Sequence, residues 1–365
     1  MITRQQFIRA GLVMTAAPMT ACTSSNSIDS YEIAVKKIWL PNTKTVDKNF
    51  DLKRELVRYA TLAPSGHNAQ CWKFHIEQDT IAIVPDFSRR TPVVDPDDHH
   101  LFVSLGCALE NLIQAAAAHG LKAQPQFDEA RDVVMVKLTQ TAPFASPLFK
   151  AITDRQSTRG LYDGKPLTLS DLKILELAGT GNGVRMMLFT AQPDIEKILD
   201  FVLQGNTIQI GDAAFVNELK QWLRFSGNEA VKTGDGLYAL SSGNPSLPRW
   251  LGSPLFDIMF SAASENDKYA KQTRSSSGVA VFVAEVNGKA HWIEAGRCYE
   301  RFALQAASMG IRNAMLNQTV EVPEMRRKLA DFLGLRAGRP DLVVRFGHGE
   351  KMPQSLRRDV SSVLV

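Results

Sequence analysis

The sequence predicts an α+β fold made of two related halves fused in one chain, with a lid-like insertion in the second half. Three observations lead there. Short β-branched segments stand beside apolar helical runs without the regular strand–helix–strand alternation of a doubly wound sheet. A pattern also recurs: His100-Leu101-Phe102 leads to Gly106 and an Ala-rich run ending at Gly120-Leu121, while His291-Trp292-Ile293 leads to Gly296 and a run ending at Gly310-Ile311, the two Gly-to-Gly intervals both being fourteen residues. Small residues at the helix starts and a terminal Gly suit tightly packed helices capped in the left-handed region. Finally, residues 195–277 of the second half have no counterpart in the first.

Taken in order, residues 1–22 read as an export signal. Arg4 and Arg9 precede an apolar stretch, 10–21, that Pro18 interrupts, too short for the roughly 20 residues a membrane span needs. Thr3-Arg4-Gln5-Gln6-Phe7-Ile8 resembles a twin-arginine signal whose second Arg is Gln, leaving the export route open. Met19-Thr20-Ala21-Cys22 resembles a lipoprotein cleavage box, which would make Cys22 a lipid acceptor and the protein an exported, periplasmic or membrane-anchored bacterial lipoprotein. The other reading is the uncleaved N-terminus of a cytoplasmic protein. Residues 23–49 read as a polar linker.

The first half, 50–140, has a helix over 52–62 stopped by Ala63-Pro64, a Ser65 loop, a hairpin over 72–84 around Gln78-Asp79, a buried helix over 106–121 and a strand over 133–138. Asp97 or Asp98 is expected to cap the Gly106 helix, which gives His99-His100 a place at its start rather than in a metal cluster. A Pro-punctuated connection over 141–147 leads to the second half, 148–365. There a capped helix over 170–177 and a strand over 184–190 precede the insertion, which is helical around 215–225 and rich in Gly, Ser and Pro over 234–254. Loops of that length tend to be lids or binding elements, the other reading being a surface excursion that merely packs on the core. A strand over 278–286, the Gly296 helix and a strand over 342–346 follow.

Composition excludes several classes. Of 365 residues, 44% are hydrophobic and 22% charged, so the chain is neither disordered nor a multi-span membrane protein. A net charge of +4 without a basic run makes nucleic acid a poor partner. Setting Cys22 aside leaves Cys71, Cys107 and Cys298, an odd number without metal spacing, read as buried thiols. There is no Gly-x-Gly-x-x-Gly after a strand and no Walker loop.

Two segments carry the chemistry. In Arg155-Gln156-Ser157-Thr158-Arg159 the alternating Arg155, Ser157 and Arg159 would share one face of an extended segment, two planar guanidinium forks flanking a hydroxyl, as a phosphate requires. In Ala63-Pro64-Ser65-Gly66-His67-Asn68-Ala69-Gln70-Cys71-Trp72, Ser65 follows Pro64 in a rigid turn, and Asn68 and Gln70 offer both donors and acceptors. His67 and His348 are further pocket candidates, though lone histidines are more often structural.

Together these segments resemble the flavin-binding elements of the nitroreductase family, in reverse chain order, and the arrangement resembles its Acg subfamily. Glu218-Leu219-Lys220-Gln221-Trp222-Leu223-Arg224, Asp235-Gly236-Leu237 and Asn317-Gln318-Thr319-Val320-Glu321 add to the likeness, which spans about 50–358. The family's Pro is replaced by Cys71. The resemblance implies FMN as cofactor, its phosphate gripped by Arg155, Ser157 and Arg159, with Pro64, Ser65, Asn68 and Gln70 near the ribityl chain and ring. One of Arg357 and Arg358 would complete the phosphate grip. It also implies a pseudo-dimeric monomer with one complete site, the symmetry-related one at Gly179-Thr180-Gly181-Asn182-Gly183 being vestigial. No side-chain nucleophile is expected, since the flavin would carry a hydride from NAD(P)H or another small-molecule donor to an acceptor such as a nitroaromatic or quinone. An FMN-sequestering protein with a closed pocket and no turnover is the alternative.

Overall fold

Two four-stranded antiparallel sheets with the same internal order organise the molecule. In this computed structural model, residues 24–40 and 51–365 are described; the export and lipid-box readings, Cys22 included, lie outside them. The first half runs α2 (Leu52–Thr61), β1 (Trp72–Ile76), β2 (Thr80–Pro85), α3 (His99–Ala118), β3 (Leu121–Asp128) and β4 (Val133–Gln140), preceded by α1 (Ser24–Trp39). The second half repeats it with α4 (Leu169–Ala178), β5 (Val184–Phe189), β6 (Gly278–Ala284), α10 (Lys289–Ser308), β7 (Ile311–Met315) and β8 (Arg339–His348). Sheet one is ordered β1-β2-β4-β3 and sheet two β5-β6-β8-β7. Every neighbouring pair in both is antiparallel. The duplication read from two glycine intervals is therefore a duplication of topology.

The halves meet along α3 and α10. The faces that meet carry Val103, Gly106 and Cys107 on one helix and Ile293, Gly296 and Arg297 on the other, the Cys107 thiol lying 3.3 Å from the Gly296 carbonyl, while the opposite face of α10 turns Phe302 onto Phe282 and Phe346 of sheet two. Gly106 and Gly296 lie mid-helix, a correction to their reading as helix starts. They are where the backbones touch. A Cβ on Gly106 would fall within the carbonyl of Ile293, and one on Gly296 within the carbonyl of Val103, so the contact is self-complementary like that of a two-fold dimer. Gly120 (φ 76°) and Gly310 (φ 74°) supply the left-handed caps. At the start of α3, Asp98 makes no side-chain cap; Asp95 accepts from the N–H groups of His100 and Leu101 at 3.0 Å each, so the expected capping by Asp97 or Asp98 is corrected.

The insertion replaces what in sheet one is the tight β1–β2 turn, and comprises α5 (Gln192–Gly211), α6 (Ala213–Trp222), α7 (Gly227–Thr233), α8 (Arg249–Met259) and α9 (Ala262–Arg274). It folds back onto the first half. Glu218 of α6 accepts from the N–H groups of Val93 (2.9 Å) and Val94 (3.0 Å), and Asp235 pairs with Arg89. The 23–49 linker is corrected as well, because its first part is α1. Tyr31 and Trp39 of α1 are buried, the Trp39 indole donating to the Ser355 carbonyl at 2.9 Å. The chain's end crosses to the first half, where Leu364 forms a parallel bridge with Phe74 and Val363 is buried. β3, β7 and α11 (Pro323–Phe332) were not anticipated; Pro125 sits in β3, at the sheet edge where its missing donor costs nothing.

Candidate functional site

After α2 the chain turns through Pro64 and an extended Ser65 into three residues with positive φ: His67 (50°), Asn68 (54°) and Gln70 (54°). Each such non-glycine conformation costs of order 1 kcal/mol or more. A dense set of hydrogen bonds offsets it. The Gln70 N–H donates to Ser65 Oγ (2.8 Å), Asn68 Nδ2 to the carbonyls of Gly236 (3.0 Å) and Leu356 (3.2 Å), and Gln70 Nε2 to that of Gly234 (2.8 Å). Arg357 donates to the carbonyls of Thr61, Leu62 and Ala63 and to Asn68 Oδ1. Arg358 donates from its backbone to Gln70 Oε1 and from its guanidinium to the carbonyls of Gln70 and Trp72. Asn68, Gln70, Arg357 and Arg358 are thus committed to holding the turn in shape, where the sequence placed them against a ligand.

The second segment divides likewise. The Arg155 N–H closes a helical turn on the Ala151 carbonyl, and this rotates Arg155 off the extended stretch that follows. Its guanidinium lies 2% exposed, 3.1 Å from Glu300 and donating to the Leu62 carbonyl. The expected shared face of Arg155, Ser157 and Arg159 is corrected by that turn. Ser157 forms a parallel bridge with Asn313 at the edge of sheet two, and buried Arg345 donates to the carbonyls of Thr158 and Gly160, fixing the backbone on either side of Arg159. Arg159 itself has no carboxylate or carbonyl acceptor for its guanidinium among the described residues.

Ser157 and Arg159 meet Pro64, Ser65 and His67 around one cavity of about 540 Å³, a size typical of small-molecule and cofactor sites. Its floor is the interface between the halves, with Val103, Cys107 and Tyr299; its roof is the insertion, with Phe225, Leu255, Phe256 and Phe260. Burial depresses the Arg159 guanidinium somewhat, and the tyrosines near it add no formal negative charge: burial pushes the Tyr269 phenol up to about 12, and that of Tyr299 up as well. His67 is held neutral, lowered to about 4 chiefly by burial. His100 lies 3.3 Å from Glu321, whose other oxygen accepts from Gln209 (2.7 Å). Against the effect of burial, Glu321 raises the His100 imidazole, and His100 lowers the Glu321 carboxyl. Among the described residues the cavity thus brings together a cation without an acceptor, the Ser157 hydroxyl, a neutral imidazole that feels both Arg159 and the His100–Glu321 pair, and an aromatic cover.

The position related to this cavity by the internal two-fold is filled. A side chain at Gly181 would strike Glu294, Cys298 and Arg301, and Arg301 and Arg297 share Glu110 and Glu294 beneath it. Among the described residues no group of His, Cys, Asp and Glu is arranged to hold a metal ion. Sequence reasoning missed His100, Glu321 and Tyr269 as cavity residues. Glu321 lay within a quoted motif and His100 beside a quoted helix start, but neither carried a local sign of the partner it meets.

No family model matches the chain. Among curated proteins it is similar to the Mycobacterium tuberculosis protein named "Putative NAD(P)H nitroreductase Rv3131", 22% identical over 352 residues covering 93% of this chain and 96% of that protein. It is also similar to "Putative NAD(P)H nitroreductase acg" of the same organism, 22% identical over 328 residues, 86% of this chain and 95% of that one. Over most of its length the chain is thus similar to curated nitroreductase-like proteins of the Acg type. Among solved structures, the FMN-dependent nitroreductase NfnB from Mycobacterium smegmatis, in complex with NADPH, aligns over 56% of this chain and 88% of its own at 11% identity and a TM-score of 0.37. The Bacteroides fragilis nitroreductase with bound FMN aligns over 56% and 89% at 13% identity and 0.34. The likeness to Acg-type proteins rests on the curated relatives alone.

Proposed function

We propose that the cavity binds FMN and that the protein is an FMN-dependent oxidoreductase. The observation that carries this reading is Arg159, a cation without an acceptor among the described residues that lines the same cavity as the Ser157 hydroxyl and the Pro64-Ser65 turn. A phosphate monoester fits that pair: the guanidinium presents planar donors and the hydroxyl one more. The neutral His67 and the amide and hydroxyl groups nearby suit the mixed donor and acceptor edge of a flavin ring. When bound, FMN supplies a ring that takes a hydride from NAD(P)H or another donor and delivers it to an electron-poor acceptor such as a nitroaromatic or quinone. The protein contributes binding, a dry roof and the charged His100–Glu321 pair. The functional unit in this reading is a monomer that acts as its own dimer, exported and anchored through Cys22.

The aromatic roof supports a second reading, in which the insertion closes the cavity and FMN is stored without turnover. Absorbance separates the readings. Purified protein should show flavin bands, and NAD(P)H should bleach them; a yellow protein that no reductant-bearing nucleotide bleaches favours storage. Arg159→Ala removes a charge-assisted contact worth about 1.5–3 kcal/mol, a ten- to hundredfold loss of flavin affinity. An Arg159→Ala protein that stays fully yellow through gel filtration would sink the assignment.

A further inference from the structure

α8 is apolar on two sides. Its inner side, with Gly252, Leu255 and Phe256, lines the cavity, and Gly252 lets Phe225 pack directly against the helix backbone. Its outer side carries Trp250 (76% exposed), Pro254 and Ile258 (79%), spaced four residues apart on one stripe, with Met259 (68%) beside them. A surface helix of a soluble protein ordinarily turns polar residues outward. The two charges near the stripe are each neutralised within the insertion, Arg249 by Glu229 at 2.6 Å and Asp257 by Lys220 at 2.6 Å. Met259 is both exposed and cavity-lining, so the stripe runs onto the rim of the cavity.

We propose that the outer face of α8 seats the insertion on a phospholipid bilayer, with the cavity rim at Met259 turned toward the lipid. Three features select a bilayer over a second copy of the chain. Residues 10–21 form an apolar stretch just ahead of α1, and α1 packs on the same insertion: it lies against α7, and the Tyr31 and Tyr238 rings are 4.4 Å apart. In sequence, that apolar stretch therefore leads into a helix packed on the same insertion that carries the α8 stripe. The stripe itself is an indole flanked by aliphatic side chains, the composition that settles at the boundary between headgroups and acyl chains. Its continuity with the cavity, finally, gives an apolar, lipid-borne ligand a path inward that does not cross water. The proposal does not depend on which cofactor the cavity holds.

The test uses the full-length chain and phosphatidylcholine vesicles with brominated acyl chains, which quench an indole only when it reaches the hydrocarbon. The leader contains no tryptophan. Of the five tryptophans, Trp39, Trp72 and Trp292 are buried, Trp222 is partly buried and Trp250 stands out. Quenching of about one fifth of the emission, the share of one ring in five, is expected. It should vanish in Trp250→Phe, and should fall at least twofold in Ile258→Asp, which keeps the reporter. Emission unchanged by brominated lipid overturns the proposal, even if the protein sediments with the vesicles, because the leader alone then holds it. So does a lipid-free particle of two chains in which Trp250 is already shielded. Flavin absorbance, read on the same samples, reports the cofactor separately, so failure of one reading is distinguishable from failure of the other.

Discussion

Arg155 and Arg159 stand four positions apart, and among the described residues only Arg155 has a carboxylate partner. Arg155 is enclosed with Glu300, which is fully buried and whose carboxyl burial pushes up to about 7 against the pull of Arg155. Removing one partner of a buried pair leaves an uncompensated charge, a loss of about 3–5 kcal/mol. Arg155→Ala should therefore destabilise the fold by that order, whereas Arg159→Ala should leave stability nearly unchanged and act on the ligand. The pH dependence has a definite sign. With its folded value raised from 4.5, Glu300 binds a proton more readily in the folded state, so its contribution lowers stability as pH rises from 4.5 toward 7. Without Arg155 that value rises further, so the deficit of Arg155→Ala should be largest near pH 8 and shrink toward pH 5. Urea unfolding at the two pH values measures it; an equal loss at both would show that the charge on Glu300 is not the cause.

Among the elements, the α3–α10 pair sets the geometry of everything else. Its closeness depends on two glycines whose missing side chains admit the carbonyls of Ile293 and Val103. Gly106→Ala and Gly296→Ala should each cost at least about 3 kcal/mol, the upper part of the range for overpacking, because the obstructing atoms are backbone and cannot change rotamer. By the internal two-fold the two losses should be alike. Thermal unfolding tests this, and a wild-type midpoint in either variant would mean the helices can separate at little cost. Both glycines were visible in the sequence, yet were read as marking helix starts. Periodicity locates a helix, but only the facing helix shows why a mid-helix glycine, otherwise about 1 kcal/mol unfavourable relative to Ala, is present. The helices over 52–62 and 170–177, the hairpin around Gln78-Asp79 and the strands over 133–138 and 278–286 follow from local pattern. β3 was hidden by Pro125, and α5 by a sequence whose apolar residues lack a clean stripe.

For the whole molecule, the feature that matters most is that the duplicated architecture sets the Arg159 cavity at one of two related positions and packs side chains against Gly181 at the other. Arg301 and its carboxylate partners occupy that second position. One FMN per chain is therefore expected, from phosphorus or flavin absorbance against protein concentration; a ratio near two would mean that the Arg301 cluster opens. Local spacing was enough for most of the helices and strands and for the repeat, because these are written in side-chain periodicity; the expectation that Ser157 and Arg159 share a site with the Pro64-Ser65 turn came from resemblance, and the cavity they line together is a tertiary fact. It took long-range contacts to show that Arg155, Arg357, Arg358, Asn68 and Gln70 hold the scaffold, and that His100, Glu321 and the insertion's aromatics line the cavity. The reason is physical: whether a polar group faces a ligand depends on whether another partner already satisfies it. Here those partners, Glu300 and the carbonyls of Leu62, Gly234 and Leu356, come from distant parts of the chain and leave no mark on the spacing around the residues they bind.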